Sequence, residues 1–146
     1  MIILITGSRD TPETDYKKLA EAITTHITGV TAIAHGGAIG ADQLASKYAT
    51  LNGLKEIVIK PNYVRYKKAA PLVRNNELVK LADKVLAWHT NDKRSRGTAY
   101  TAKLAARKGK LIAEYIAGKR QPEANDTQIK LWKKNPQKKE KGAKDC

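Results

Sequence analysis

The sequence predicts an α/β protein, a doubly wound parallel sheet of about five strands with helices on both faces. Three observations point there. Short apolar runs rich in β-branched residues recur along the chain, and each is followed by a stretch of helical periodicity. The turns leading from a run into the next helix are rich in Gly, Ser, Asn and Arg. Finally, 146 residues of which 41% are apolar suffice for one core of this kind and not comfortably for two.

The elements follow in order. Ile2 to Thr6 is a continuous apolar run, as expected of a strand covered on both faces. Gly7-Ser8-Arg9-Asp10-Thr11-Pro12 is a turn, after which Leu19, Ala22, Ile23 and Ile27 recur at helical spacing. Val30 to Ala34 is the second strand, closed by His35-Gly36-Gly37, and Ile39 to Tyr48 the next helix. Glu56 to Ile59 forms a third strand stopped by Pro61. A helix over Leu72 to Leu81 and a strand over Lys84 to Trp88 come next. Thr98 to Lys108 is an Ala-rich helix ending at Gly109, a usual C-terminal cap, and Leu111 to Tyr115 is the fifth strand. Two segments are expected: a folded domain over 1–118 and a basic, largely disordered tail over 119–146.

Composition narrows the partners. Twenty-eight Lys and Arg stand against fourteen Asp and Glu, a formal charge of +14, which favours anionic partners. Residues 119–146 hold nine cations and four acids, and residues 1–118 hold nineteen and ten. The body is therefore basic in its own right. No apolar run reaches the roughly 18 residues needed to cross a bilayer, so no membrane partner is expected. Met1 to Ile5 lacks the basic start of a signal peptide. The one cysteine, Cys146, leaves no disulfide within the chain, and a cytoplasmic location fits.

In an open α/β sheet the ligand lies beyond the carboxyl ends of the strands, where the strand order reverses. The segments there are Gly7-Ser8-Arg9-Asp10, His35 to Asp42, Asn62 to Asn76 and Thr90 to Thr98. Gly36, Gly37 and Gly40 let backbone approach a ligand ahead of a helix whose free N–H groups favour an anion; a packing turn would use glycine equally. Arg9 offers a bidentate fork to phosphate, or a solvated side chain. Ser8 is a hydroxyl donor or a turn cap. Asp42 is either stabilised by the helix dipole or a partner for a ribose hydroxyl. Arg74 and Asn75 open one helix, and Arg96-Gly97-Thr98 another, with Thr98 as N-cap or phosphate donor. Tyr63 and Tyr66 are candidates to stack on a base. His26 is read as lying on an exposed helix end. His35 and His89 end strands, and no Cys/His or carboxylate spacing makes them metal ligands; no cofactor is expected.

Taken in order, Gly7-Ser8-Arg9, His35-Gly36-Gly37-Ala38-Ile39-Gly40-Ala41-Asp42, Arg74-Asn75 and Arg96-Gly97-Thr98 resemble the signature of the SLOG superfamily. That group joins DprA/Smf, the LOG phosphoribohydrolases and small stand-alone proteins of the YspA type, to which the likeness is closest, over about residues 1–117. The resemblance implies a Rossmann-like fold and a nucleotide or nucleotide-derived ligand held by these loops. LOG enzymes carry a Gly-Gly-x-Gly-Thr-x-x-Glu segment whose glutamate serves catalysis with an upstream arginine. Here Gly97-Thr98-Ala99-Tyr100-Thr101 keeps the Gly-Thr without the glutamate, and Arg74 is the position matching the arginine.

The expected function is therefore to bind, and so sense or sequester, a nucleotide-type phosphate ligand. One alternative is single-stranded nucleic-acid binding of DprA-like type through the basic body and tail, although eight aromatics and no Phe make stacking platforms scarce. A further alternative is a nucleotide N-glycosidase or phosphoribohydrolase, with Asp42 or Glu77 as acid/base. The missing glutamate weighs against an enzyme. A homodimer or higher homo-oligomer is the default expectation.

Overall fold

The computed structural model describes residues 1–90 and 95–122. In chain order these form β1 (Ile2–Gly7), α1 (Tyr16–His26), β2 (Ala32–His35), α2 (Ala41–Leu51), β3 (Lys55–Val58), the one-turn α3 (Tyr63–Tyr66) and α4 (Ala70–Leu81). They continue with β4 (Lys84–His89), α5 (Arg96–Arg107), β5 (Leu111–Ile116) and β6 (Lys119–Arg120). The sheet runs β3-β2-β1-β4-β5-β6 and is parallel except for β6. The chain thus winds outward from β1 to β3, crosses back over β1, and winds the other way from β4. The doubly wound sheet expected from the sequence is present, and its switch point lies between β1 and β4.

The central strands explain their own composition. Ile3, Leu4 and Ile5 of β1 and Val85 to Trp88 of β4 are all buried, because helices cover both faces and leave no polar side. Alternate residues serve opposite faces. Ile3, Ile5, Ile33, Leu86 and Trp88 pack with Leu19 and Ile23 of α1 and Leu44 and Tyr48 of α2. Leu4, Ala34 and Val85 pack with Leu78 and Val79 of α4 and Leu104 and Ala105 of α5. Trp88 also donates its Nε1–H to Asp15 Oδ2 at 3.1 Å and stacks on Tyr115, ring centres 5.1 Å apart. The Tyr115 hydroxyl bonds His26 Nε2 at 2.8 Å. His26 is accordingly half-buried rather than on an exposed helix end, and burial, with Arg120 nearby, lowers its pKa.

Two elements escaped the periodicity argument. The α3 turn is too short to show a helical repeat; it forms because Asn62 Oδ1 accepts the Arg65 amide at 3.1 Å. β6 pairs antiparallel with β5 through Ile116↔Lys119 and Tyr115↔Arg120, so Lys119 and Arg120, placed in the tail by composition, belong to the sheet. The two-residue turn between them holds Ala117 and Gly118 at φ 52 and 77, a type I′ geometry that Asn-Gly would have announced and Ala-Gly does not. The rest of the expected tail, 123–146, lies outside the described residues.

Leu86 sits at the middle of β4 and is fully buried. Leu86→Ala should lower the unfolding free energy by about 2–5 kcal/mol. Urea titration checks it, with an unchanged slope showing that the native state keeps its compactness.

Candidate ligand-binding cleft

Where β1 and β4 diverge, a cleft of about 450 Å³ opens beyond their carboxyl ends. Thr6, Gly7, Ser8, Arg9 and Asp10 line it from β1, and Gly36, Ala38 and Asp42 from the β2–α2 connection. Pro71, Arg74, Asn75 and Leu78 of α4 form one wall, and Ser95 to Thr98 with Thr101 of α5 the other.

Ser8 organises the entrance. Its amide donates to Trp88 O at 3.0 Å, and its carbonyl accepts the Ala41 amide at 3.1 Å and the Thr11 hydroxyl at 2.8 Å. Its Oγ accepts the Thr90 amide at 3.2 Å, which leaves the hydroxyl proton available to another acceptor. This tight crossing requires glycine opposite. Gly40 holds φ 80, and a Cβ there would overlap the Ser8 and Arg9 carbonyls.

Arg74 forms the floor. It is buried, donates Nη1–H to Gly36 O at 2.6 Å and Nε–H to Asn75 Oδ1 at 2.7 Å. A Cβ on Gly36 would collide with this guanidinium, so Gly36 is the position that lets an arginine lie flat on the loop. Asp42, also buried, accepts the Ala38 amide at 3.0 Å. Burial raises the Asp42 pKa; the Ala38 N–H, His35 and Arg74 oppose that shift without overcoming it. The reciprocal effect holds for Arg74, whose pKa is lowered by burial in spite of the Asp42 charge.

Four amides of the β2–α2 loop, those of Gly37, Ala38, Gly40 and Ala41, are already engaged inside the protein. Gly37 N–H donates to His35 Nδ1 at 3.0 Å, Gly40 N–H reaches Gln43 Oε1 at 3.4 Å, and those of Ala38 and Ala41 are accounted for above. The start of α5 differs. Ser95 makes no side-chain cap and no acid lies in the first turn; the first helical bond runs from Ala99 N–H to Ser95 O at 2.8 Å. The Gly97 and Thr98 amides precede it, at the cleft wall. Thr98 is 3% exposed, and its hydroxyl bonds no other described residue.

Of the positions singled out from the sequence, Gly7, Ser8, Arg9, Gly36, Asp42, Arg74, Asn75, Gly97 and Thr98 line this one cleft. Gly37 and Gly40 stand behind it as loop-forming residues. Tyr63 and Tyr66 are outside the lining; Tyr63 is 53% exposed, near enough to Arg74 to favour its charge, and Tyr66 lies under Arg65. Glu77 is exposed and outside the cleft, so the carboxylates of the lining are Asp10 and Asp42. Sequence reasoning included Asp10 and Ser95 in their segments without singling them out, and gave Thr101 no role. Thr101 sits one helical turn beyond Gly97, and that spacing is the signal that could have found it. Among the described residues no group of three or more His, Cys, Asp or Glu could hold a metal ion, and no helix is long and apolar enough to cross a membrane.

Residues 1–66 match the family described as "YspA, cpYpsA-related SLOG family". That span runs from β1 through α3 and includes the Gly7-Ser8-Arg9 turn and the whole β2–α2 loop; the α4 and α5 walls lie beyond it. No curated protein and no solved structure matches the chain.

The Asp42 shift has a sign that can be measured. A raised folded-state pKa means that the folded protein holds this proton more tightly than the unfolded chain does. The contribution to stability is full below the ordinary value of 3.8 and is lost as pH rises through the raised value. Asp42→Asn, neutral throughout, should therefore gain stability relative to wild type as pH rises above the ordinary value of 3.8. Paired urea titrations at each pH give the difference; a gap moving the other way would show that attraction to Arg74 outweighs burial.

Proposed function

We propose, from the match of residues 1–66 to the family described as "YspA, cpYpsA-related SLOG family", that the chain binds, and so senses or sequesters, a nucleotide or nucleotide-derived phosphate ligand in this cleft. The observation that carries the reading is the start of α5, which Ser95 leaves without a side-chain cap and where the Gly97 and Thr98 amides and the Thr98 hydroxyl meet at the wall. A helix N-terminus of this kind favours an anion through its free N–H groups and its dipole. Arg9 and Arg96, both exposed and both lining the cleft, add cationic donors, and the Ser8 hydroxyl a neutral one.

On this reading the phosphate sits against Gly97 and Thr98, with Gly7, Ser8 and Arg9 across from it. Gly36, Arg74 and Asn75 shape the floor, and Gly37 and Gly40 act through the loop they form. Asp42 faces the hydroxyl-bearing part of the ligand, and Tyr63, exposed near Arg74, is the ring offered to a base. Turnover is not required. Hydrolysis of a glycosidic bond would need a carboxylate at the scissile position, with Asp10 and Asp42 as the lining's candidates.

A second reading, single-stranded nucleic-acid binding, draws on the exposed cations Lys60, Arg65, Lys67 and Lys68 along the connection between β3 and α4. Salt separates the two readings. Neutralising several phosphates gives a steep fall of affinity with ionic strength, whereas one ligand in a cleft responds mildly.

Thermal shift of the full chain with a nucleoside, its mono- and diphosphate, and a short single-stranded DNA tests both. The phosphate-bearing nucleotides should raise the melting temperature with ligand concentration, and the bare nucleoside should not. Thr98→Val should weaken binding about five- to tenfold, the worth of one lost hydrogen bond, and Arg9→Ala should weaken it as well. A shift with DNA alone, steeply salt-dependent, would replace this reading with the second; no shift with any phosphate-bearing ligand would remove both.

A further inference from the structure

The two edges of the sheet are unlike. On one side β6 is two residues long and carries only the exposed cations Lys119 and Arg120, a short charged edge that discourages pairing. On the other side β3, Lys55–Val58, ends the sheet, with Ile59 and Lys60 following its last residue and, among the described residues, no element beyond it in the strand order. Val58 is 40% exposed.

The hydrogen-bond parity of β3 is fixed by its inner neighbour. Lys55 N–H donates to Thr31 O at 3.2 Å and Ile59 N–H to His35 O at 3.1 Å. The N–H and C=O of one strand residue point the same way, and successive residues alternate. Glu56 and Val58 therefore direct both backbone groups outward, and the alternation, which the Ile59 bond carries past the end of β3, puts Lys60 on the same parity. Pro61, which has no N–H to give, falls on the inward parity, so it removes nothing from that edge.

From this alternation we propose that β3 is the interface of a homodimer, pairing antiparallel with β3 of a second copy about a two-fold axis at Val58. Antiparallel strands exchange both bonds between directly opposed residues of the bonded type. With Val58 opposite its own copy, Glu56 falls opposite Lys60, and the outward-pointing residues are then the ones this register requires. The side chains agree as well. Glu56 and Lys60 form opposite-charge pairs on both sides of the axis, and Val58 meets Val58, while Ile57 and Ile59 face each other on the other side of the extended sheet. A strand slipped by one residue would lose both the charge pairing and the bonding parity.

The contact is isologous and closes on itself, because the β6 edges left outside are short and cationic. The overall charge of +14 opposes association at low salt; at about 0.15 M ionic strength it is screened beyond roughly 8 Å. The ligand cleft lies between β1 and β4 with β2 intervening, so pairing at β3 leaves both clefts open. The dimer and the ligand reading thus stand or fall separately.

Sedimentation equilibrium of the full chain at about 0.15 M salt tests the interface. The expected mass is twice 16.1 kDa. Val58→Lys, which sets two like charges together at the axis, should give the monomer with unchanged far-UV circular dichroism and unchanged ligand response. Lys60→Glu and Glu56→Lys should each weaken self-association by opposing like charges across the axis, and an equimolar mixture should recover a heterodimer. That recovery also guards against misfolding of either variant, since Glu56 lies 3.2 Å from His35. A wild-type monomer overturns the proposal. So does a dimer that survives Val58→Lys, or a mixture that fails to associate when both variants are folded.

Discussion

The carbonyl and side chain of Ser8 are the point on which the site depends. Three separate segments end within one residue's reach: the close of β4 at Trp88 and Thr90, the start of α2 at Ala41, and the turn at Thr11. A parallel sheet brings strand ends together at its switch point without specifying how the loops beyond them are arranged. Ser8 supplies that arrangement through its amide, its carbonyl and the acceptor side of its hydroxyl. It can do so only because Gly40 lets the α2 loop lie against the Ser8 and Arg9 carbonyls. The first strand, the second loop and the fourth strand are thereby fixed to one another, a preorganisation that would lower the ordering cost of binding on the proposed reading.

Two histidines repeat one device on either side of that point. His35 ends β2 and His89 ends β4. Each uses Nδ1 to accept an amide from the loop ahead, Gly37 in one case and Ser95 in the other, both at 3.0 Å. Each directs Nε2 at a carboxylate of the next strand out. His89 meets Glu114 at 2.7 Å; His35 approaches Glu56 at 3.2 Å without the alignment of a full hydrogen bond. Because Nδ1 accepts, the neutral ring carries its proton on Nε2. The rings act as rigid spacers that set the direction in which each loop leaves its strand. Ser95 is in this way held where α5 must begin.

The sequence made the sheet legible because its central strands are buried on both faces and so read as unbroken apolar runs. Ile2 to Thr6 and Lys84 to Trp88 were placed to within a residue, and Leu19, Ala22 and Ile23 declared the buried face of α1. The failures were local. α3 rests on one Asn side chain, and the β5–β6 turn holds an alanine at positive φ, a conformation that residue does not advertise. The cleft was legible as a set of turns, since Gly, Ser and Arg cluster only where strands end. Which groups within those turns remain available was not legible. That Gly37 and Ala38 give their amides to His35 and Asp42 depends on side-chain directions that a residue pattern does not carry.

On the proposed reading, this division of labour lets a cleft with buried charges on its floor favour an anion. Burying Arg74 alone would be costly, and the Gly36 carbonyl, the Asn75 oxygen and the nearby Asp42 carboxylate together offset that cost. Such a floor is close to electrically balanced, and it is held by contacts that a ligand would have to break to use. The α5 wall has the opposite character: no side-chain cap from Ser95 and no acid in its first turn, with a Thr98 hydroxyl that bonds no other described residue. A dipole end left uncompensated in a partly buried place is worth more to an incoming anion than one exposed to water. On the proposed reading the attraction would concentrate at Gly97 and Thr98 rather than at the glycine-rich loop that first drew attention, and that loop would serve by shaping the floor.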